Sequence, residues 1–201
     1  MRIEPLARPV PSRKVPVIGI VGWKNSGKTT LTVRLVEELT RRGLKVATVK
    51  HAHHDFQIDD RETDSARHRR AGARQVAIVS ANRWAVVSEI AGAAEPDLAE
   101  VIAALEPSDI VIVEGYKSAA IPKIEARRHA SLTKRPLADE DPHVLAIAAD
   151  HAVKGTSLPV FGLDDIAEIA DFIDKAVGPL PHRRGGARRG RQRSSVRSIA
   201  E

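Results

Sequence analysis

The sequence predicts an α/β fold with a mostly parallel sheet and one antiparallel hairpin. Three observations carry this expectation. Short β-branched runs of strand length alternate with amphipathic helical stretches. The first run leads through a glycine-bearing turn directly into a helix. Residues 75–80 and 84–88 are separated only by Ala81-Asn82-Arg83, which reads as a hairpin.

Taken in order, residues 1–14 hold three prolines and mixed charge and read as an extended leader. The run Val15-Pro16-Val17-Ile18-Gly19-Ile20-Val21 suits a strand buried on both faces. Residues 30–42 form an amphipathic helix with Leu31, Leu35, Val36 and Leu39 on one face and Gly43 as its C-cap. Residues 44–50 are a second strand, completing a βαβ unit with parallel pairing and a right-handed crossover. The polar, histidine-rich stretch 51–63 is a loop, and a short helix over 64–70 ends at Ala71-Gly72. After the hairpin come a helix over 96–105 and a buried strand over 109–115 that ends in polar residues. Strands follow at 122–126, 144–149 and 158–161, with a polar loop over 127–142 and a closing helix over 164–177. The domain therefore spans 15–177, followed by an arginine-rich tail over 178–201.

Composition narrows the function classes. The 201 residues suffice for one domain with a real core. There are no cysteines, which excludes disulfides, thiolate metal sites and cysteine nucleophiles. No apolar run approaches a membrane span, and the opening Met-Arg-Ile-Glu-Pro is not a secretory signal, so the expected location is cytoplasmic. The net charge of +6 sits wholly in the tail, whose seven arginines face one acid; residues 1–177 carry 25 basic and 25 acidic residues. Such a tail cannot bury enough apolar surface to offset its ordering entropy, so disorder is expected there. With a neutral body and only 3% aromatic residues, nucleic acid is not an expected partner.

The chemistry concentrates at the C-terminal edge of the strands. Gly22-Trp23-Lys24-Asn25-Ser26-Gly27-Lys28-Thr29 matches the P-loop pattern at every fixed position, between a strand and a helix as the motif requires. Its glycines let backbone N–H groups turn around a phosphate, and the helix N-terminus adds a positive dipole. Lys28 is placed to reach the β- and γ-phosphates, and the Thr29 hydroxyl to bind Mg²⁺. Glu114 ends a buried strand where ligands of parallel sheets bind, so it reads as a metal or γ-phosphate acid, or else as a capped residue in a tight Glu-Gly turn. Asp109 starts that strand and is expected to be structural. Lys50-His51-Ala52-His53-His54-Asp55 lies just past the second strand: a phosphate- or substrate-contacting loop using Lys50 and His51, a transition-metal site, or a solvated loop. Asp59, Asp60 and Asp64 are further candidates for a water-orienting or magnesium role, with Asp64-Ser65 equally readable as a helix N-cap. No Asn-Lys-x-Asp guanine signature is present, and Asp150 either meets a purine edge or caps the turn before His151.

Together the P-loop with Thr30, Val49-Lys50-His51-Ala52-His53-His54-Asp55, Arg70-Ala71-Gly72-Ala73, Arg83-Trp84-Ala85, Val113-Glu114-Gly115-Tyr116-Lys117 and Ala146-Ile147-Ala148-Ala149-Asp150 resemble the molybdopterin-guanine dinucleotide biosynthesis protein B family. The resemblance implies a P-loop NTPase-like three-layer fold and a cytoplasmic, usually dimeric, GTP-binding adapter. Such an adapter assists the guanylyltransferase that attaches GMP to molybdopterin, hydrolyses GTP weakly at most, and has molybdopterin itself as a candidate ligand. By position it implies Lys28 and Thr29 as phosphate and magnesium residues, Glu114 as the metal-side acid, and the Lys50–Asp55 loop on the phosphate or pterin side. The candidate nucleotide contacts are thus Gly22, Lys24, Asn25, Ser26, Gly27, Lys28, Thr29, Thr30, Lys50, His51 and Asp150, with Thr29 and Glu114 on the Mg²⁺ side. The tail is outside the family pattern. Two alternatives use the same P-loop: a small-molecule kinase, for which Glu125-Ala126-Arg127-Arg128-His129 supplies arginines, and a nucleic-acid-associated NTPase steered by the basic tail.

Overall fold

The computed structural model describes residues 15–52 and 63–181. The expected leader, most of the arginine-rich tail, and His53, His54, Asp55, Asp59 and Asp60 lie outside the described residues. The chain order is β1 (Val17–Val21), α1 (Lys28–Arg41), β2 (Val46–Lys50), α2 (Asp64–Arg70), β3 (Gln75–Val79) and β4 (Trp84–Ser88). It continues with α3 (Leu98–Ala103), β5 (Ile110–Glu114), β6 (Lys123–Arg127), β7 (Val144–Ala149), β8 (Val160–Gly162) and α4 (Ile166–Val177).

Six strands form one parallel sheet in the order β2-β5-β1-β6-β7-β8, while β3 and β4 pair antiparallel as a separate hairpin. The expected βαβ unit needs one correction. β1 and β2 run parallel in the same sheet but do not pair, because β5 lies between them. The cause is burial: Ile110 to Val113 of β5 are all fully buried, a run apolar on both faces that suits the sheet interior better than β2, which ends in exposed Lys50.

Strand alternation sorts the core into two layers. Ile18, Ile20, Ile110, Ile112, Ile124 and Ala126 face α1 and α4, meeting Leu31, Leu35, Leu39, Ile169 and Ile173. Val111, Val113 and Val49 face the other way, against Leu98, Val101, Ile102 and Leu105 in and beside α3. The result is the expected three-layer arrangement. On this second face β6 carries Lys123 and Glu125 in place of apolar residues, and both are about 1% exposed. The segment after β6 covers them instead of a helix: Glu125 accepts from Leu137 N and Ala138 N, and Lys123 Nζ donates to the Asp141 carboxylate and to Lys117 O.

Local signals set the helix ends. α1 stops where Gly43 takes φ 85°, letting Gly43 N reach Thr40 O and Leu44 N reach Leu39 O. The cap residue is Arg42, and the glycine stands one place beyond it. α2 is capped by the Thr63 hydroxyl, which accepts from Ala66 N; the cap expected of Asp64-Ser65 lies one residue earlier because Asp64 is already helical. Asp109, as expected for a structural residue, holds Lys45 N at 2.7 Å. Beyond α4 the chain keeps packing: Leu180 is buried and its N–H donates to Asp174 Oδ1.

Arg42, the cap residue of α1, joins that helix to α4. Arg42 donates to Glu38 Oε1 at 2.7 Å, to Asp171 Oδ1 at 2.5 Å and to Ala167 O at 2.9 Å. Hydrogen bonds from Arg41 and Arg42 draw the Glu38 carboxyl from its ordinary 4.5 down to about 2. A carboxyl lowered on folding adds stability that is complete above its unfolded value and vanishes as pH falls through the folded one. Glu38→Gln should therefore cost on the order of 1 kcal/mol at pH 7, small because Arg41 is largely solvated. Urea unfolding at pH 7 and pH 2 should show that gap closing at the acid end; a pH-independent gap would mean that the ion pairs are not its source.

Candidate functional site

The P-loop leaves β1 at Gly22 and enters α1 at Lys28, so its shape is set by two fixed ends. Gly22 has φ 148°, and a Cβ there would sit 2.4 Å from Ser26 Oγ and 2.5 Å from Ala126 O. Gly27 has φ 90°, and a Cβ there would strike the Arg128 guanidinium at 2.8 Å. Both positions therefore require glycine. Asn25 has φ 61°, a conformation asparagine accepts more readily than most residues. Ser26 N closes the turn on Trp23 O at 3.2 Å.

At the first turn of α1 three predicted residues converge. Thr29 Oγ1 donates to Glu114 Oε1 at 2.7 Å, and Lys50 Nζ stands 3.4 Å from the same oxygen. Sheet register explains the meeting, since Glu114 of β5 is aligned with Ile20 of β1 on one side and with Lys50 of β2 on the other. Lys28 Nζ donates to Trp23 O at 2.7 Å, folded along the loop. Burial lowers the affinity of Lys28 for its proton, the Glu114 carboxylate raises it, and the charges of Lys117 and Lys50 lower it further. A lysine in this setting gains by meeting additional negative charge. Thr30 follows on the exposed side of the first turn.

Other predicted residues lie apart from this cluster. His51 extends from β2 by bonding Glu114 O through its backbone N–H; its ring packs on Tyr116 at 4.5 Å, and its Nε2 meets Glu95 Oε1 at 3.0 Å. Burial, then Glu95 and Asp97, raise the Tyr116 hydroxyl above its ordinary value. Asp150 sits after β7, two strands from β1, where its Oδ1 accepts from His129 N at 2.8 Å and meets His151 Nδ1 at 2.8 Å. The bond to His151 leads the causes that hold its carboxyl below the usual range. Lys24 and Asn25 are exposed, and Lys24 O accepts from Ser131 Oγ at 3.1 Å. Asp64, at the start of α2, pairs with Arg67 at 3.6 Å.

Several contributors had no role assigned from the sequence, although Trp23 and Lys117 lie inside the motifs quoted above. Lys117 places Nζ 3.8 Å over the Trp23 ring, and Trp23 Nε1 donates to Arg135 O at 2.7 Å. Ser131, buried within a polar stretch, ties that stretch to the P-loop. Arg127 and Arg128 entered the sequence reading only as the arginines that a small-molecule kinase would use. Among the described residues no cluster of three or more His, Asp or Glu side chains could hold a metal ion, and no helix is long and apolar enough to cross a membrane.

A P-loop flanked by Glu114 and by the Gly115-Tyr116-Lys117 turn is a narrower pattern than a P-loop alone, and comparison with known proteins places it. The family described as molybdopterin guanine dinucleotide synthesis protein B matches residues 17–150. This chain belongs to that family. It is 36% identical to the molybdopterin-guanine dinucleotide biosynthesis adapter protein of Haemophilus influenzae over 81% of the chain and 90% of the relative. The protein of the same name from Escherichia coli is 32% identical over 79% of the chain and 91% of the relative. Among solved structures, a molybdopterin-guanine biosynthesis protein B superposes with a TM-score of 0.62 at 30% identity, covering 80% of this chain and 98% of the other. The Bacillus subtilis member gives 0.63 at 25% identity, over 81% and 98%.

Glu114→Gln keeps the shape of the carboxylate and removes its charge. If Glu114 serves a divalent cation, nucleotide affinity measured with magnesium should fall roughly tenfold, with little change in EDTA. An equal loss in both conditions would make Glu114 a purely structural partner of Thr29.

Proposed function

We propose that this protein is a GTP-binding adapter for the synthesis of molybdopterin guanine dinucleotide, acting beside the guanylyltransferase that transfers GMP to molybdopterin. The relatives bear the adapter name, which supports the pathway. The observation that carries the nucleotide reading is the convergence of Lys28, Thr29 and Glu114 at the N-terminus of α1.

The P-loop amides and the α1 dipole supply a cradle for the β-phosphate, and Lys28 turns from Trp23 O toward the β- and γ-oxygens. The donor set suits Mg²⁺, which takes one or two protein oxygens and fills its octahedron with water and phosphate. Thr29 and Glu114 would hold it, and a bound Mg²⁺ would neutralise phosphate charge. Glu114 already accepts from Thr29 and faces Lys50, so it is a ligand-type acceptor and poorly suited to act as a general base. Slow GTP hydrolysis at most fits an accessory role.

The adapter works as a homodimer in the cytoplasm, with molybdopterin as a further candidate ligand. The β3–β4 hairpin supports self-association: it stands outside the main sheet, with Val79 75% and Trp84 57% exposed as a cross-strand pair. An isolated hairpin needs a covered apolar face to be stable.

Calorimetric titration with GTP and with ATP, each with and without magnesium, tests the reading. We expect magnesium-dependent preference for GTP in the parent. Lys28→Ala should lose triphosphate affinity at least a hundredfold while its melting temperature stays near that of the parent. Equal binding of both nucleotides, or unchanged binding by the variant, would contradict the assignment.

A further inference from the structure

The triphosphate contacts described so far all come from the β1, β5 and β2 side of the P-loop. On its opposite flank, β6 delivers a cation that the reading has not used. Arg128 follows the last residue of β6, and its guanidinium lies against Gly27, closely enough that a Cβ on that glycine would be 2.8 Å from Nε. Among the described residues no carboxylate pairs with it, although its neighbour Arg127 is bound to Glu125 at 2.7 Å and Arg135 to Glu140.

The position is built and held. Arg128 O accepts from Ser131 N at 3.0 Å and from Lys134 Nζ at 3.4 Å, which fixes the turn beyond it. Ser131 Oγ then ties that turn to Lys24 O of the P-loop. Arg128 lines a cavity with Trp23, Ser26, Ser131, Arg135 and His151. Ser26 is 2% exposed, and its hydroxyl has no hydrogen-bond partner. A guanidinium without a carboxylate beside the positive end of a 14-residue helix, next to a buried hydroxyl without a partner, is a poor arrangement unless an anion completes it.

We infer that Arg128 is a second phosphate ligand, gripping the nucleoside-proximal phosphates from the β6 flank while Lys28 and the Glu114 side take the terminal one. This rests on the proposed nucleotide binding and adds a direction to it. The terminal phosphate points toward β5 and β2, where Glu114 and Lys50 stand, and the nucleoside leaves over the ends of β6 and β7, toward His151. Arginine suits the task because its planar fork bonds two oxygens of one phosphate through parallel N–H groups, a geometry that the rounder lysine ammonium does not match.

The direction makes the test specific, because nucleoside diphosphate retains the phosphates that Arg128 holds. The parent, Arg128→Ala and Arg128→Lys should be titrated with GDP and with GTP, both with magnesium, after melting curves establish that each variant is folded. Arg128→Ala should lose affinity roughly tenfold or more, by the same factor for both nucleotides, and Arg128→Lys should fall between it and the parent. Should the alanine variant fail to fold, the lysine variant carries the same comparison, with a smaller loss that is again equal for the two nucleotides. Unchanged affinity for both, or a loss confined to GTP, would overturn the assignment while leaving the nucleotide reading intact. A parent that binds neither nucleotide would overturn both.

Discussion

The molecule is organised by the placement of β1 at the centre of a parallel sheet, with a paired strand on each side. Parallel strands end at the same edge, so the turn leaving β1 is met from both flanks by whatever its neighbours carry at their C-terminal ends. β5 brings Glu114 to one flank and β6 brings Arg127 and Arg128 to the other. The turn is thus walled by an acid that suits a cation and by guanidinium that suits an anion. The Glu114 wall would not stand there if β1 paired with β2, its neighbour in sequence. The fully buried Ile110 to Val113 keep β5 inside, so a hydrophobic preference in one strand determines which charges meet at the site.

The two halves of the sheet solve the burial problem differently. Beside β5 and β2, valines meet α3 and the arrangement is apolar. Beside β6, a polar segment lies over the sheet and its backbone groups need partners in a place water reaches poorly. Glu125 supplies two of them, and Lys123 holds the segment by the Asp141 side chain. Burying two charges is costly unless each is fully engaged, and here each is: Glu125 has Arg127 and two backbone N–H groups, and Lys123 has Asp141 and Lys117 O. These contacts fix the segment that braces Trp23 and Lys24 from outside, through Arg135 O and Ser131. Polar residues inside the sheet thereby set the outer shape of the P-loop.

How much of this could be read in the sequence follows from the range of each interaction. The strand–P-loop–helix unit, the hairpin and the Glu114 position rest on local pattern, and the observed elements follow them closely. The helix ends differ by one residue at Gly43 and Thr63, because a cap depends on which residue turns helical first. The position of β5 between β1 and β2 was not legible, since pairing order depends on how runs far apart in sequence compete for the interior. Nor was the bracing segment, whose charged and polar side chains look like an ordinary solvated loop until β6 is seen beneath them. Asp150 shows the same limit: its place after a strand was readable, but its engagement by His129 and His151 depends on the loop beyond β6. His53, His54, Asp55, Asp59 and Asp60 fall outside the described residues.

The indole of Trp23 has a consequence of a different kind. It forms part of the P-loop itself, hydrogen-bonded at one edge and covered by the Lys117 ammonium on its face, and the chain's other tryptophan, Trp84, lies out on the hairpin. The fluorophore nearest the phosphate cradle therefore has a nearby cation whose movement alters its emission. With Trp84 replaced by phenylalanine, the protein carries a single tryptophan, placed inside the proposed phosphate-binding loop and excitable apart from Tyr116. The arrival of an anion could then be followed in milliseconds by stopped flow, without attaching any dye.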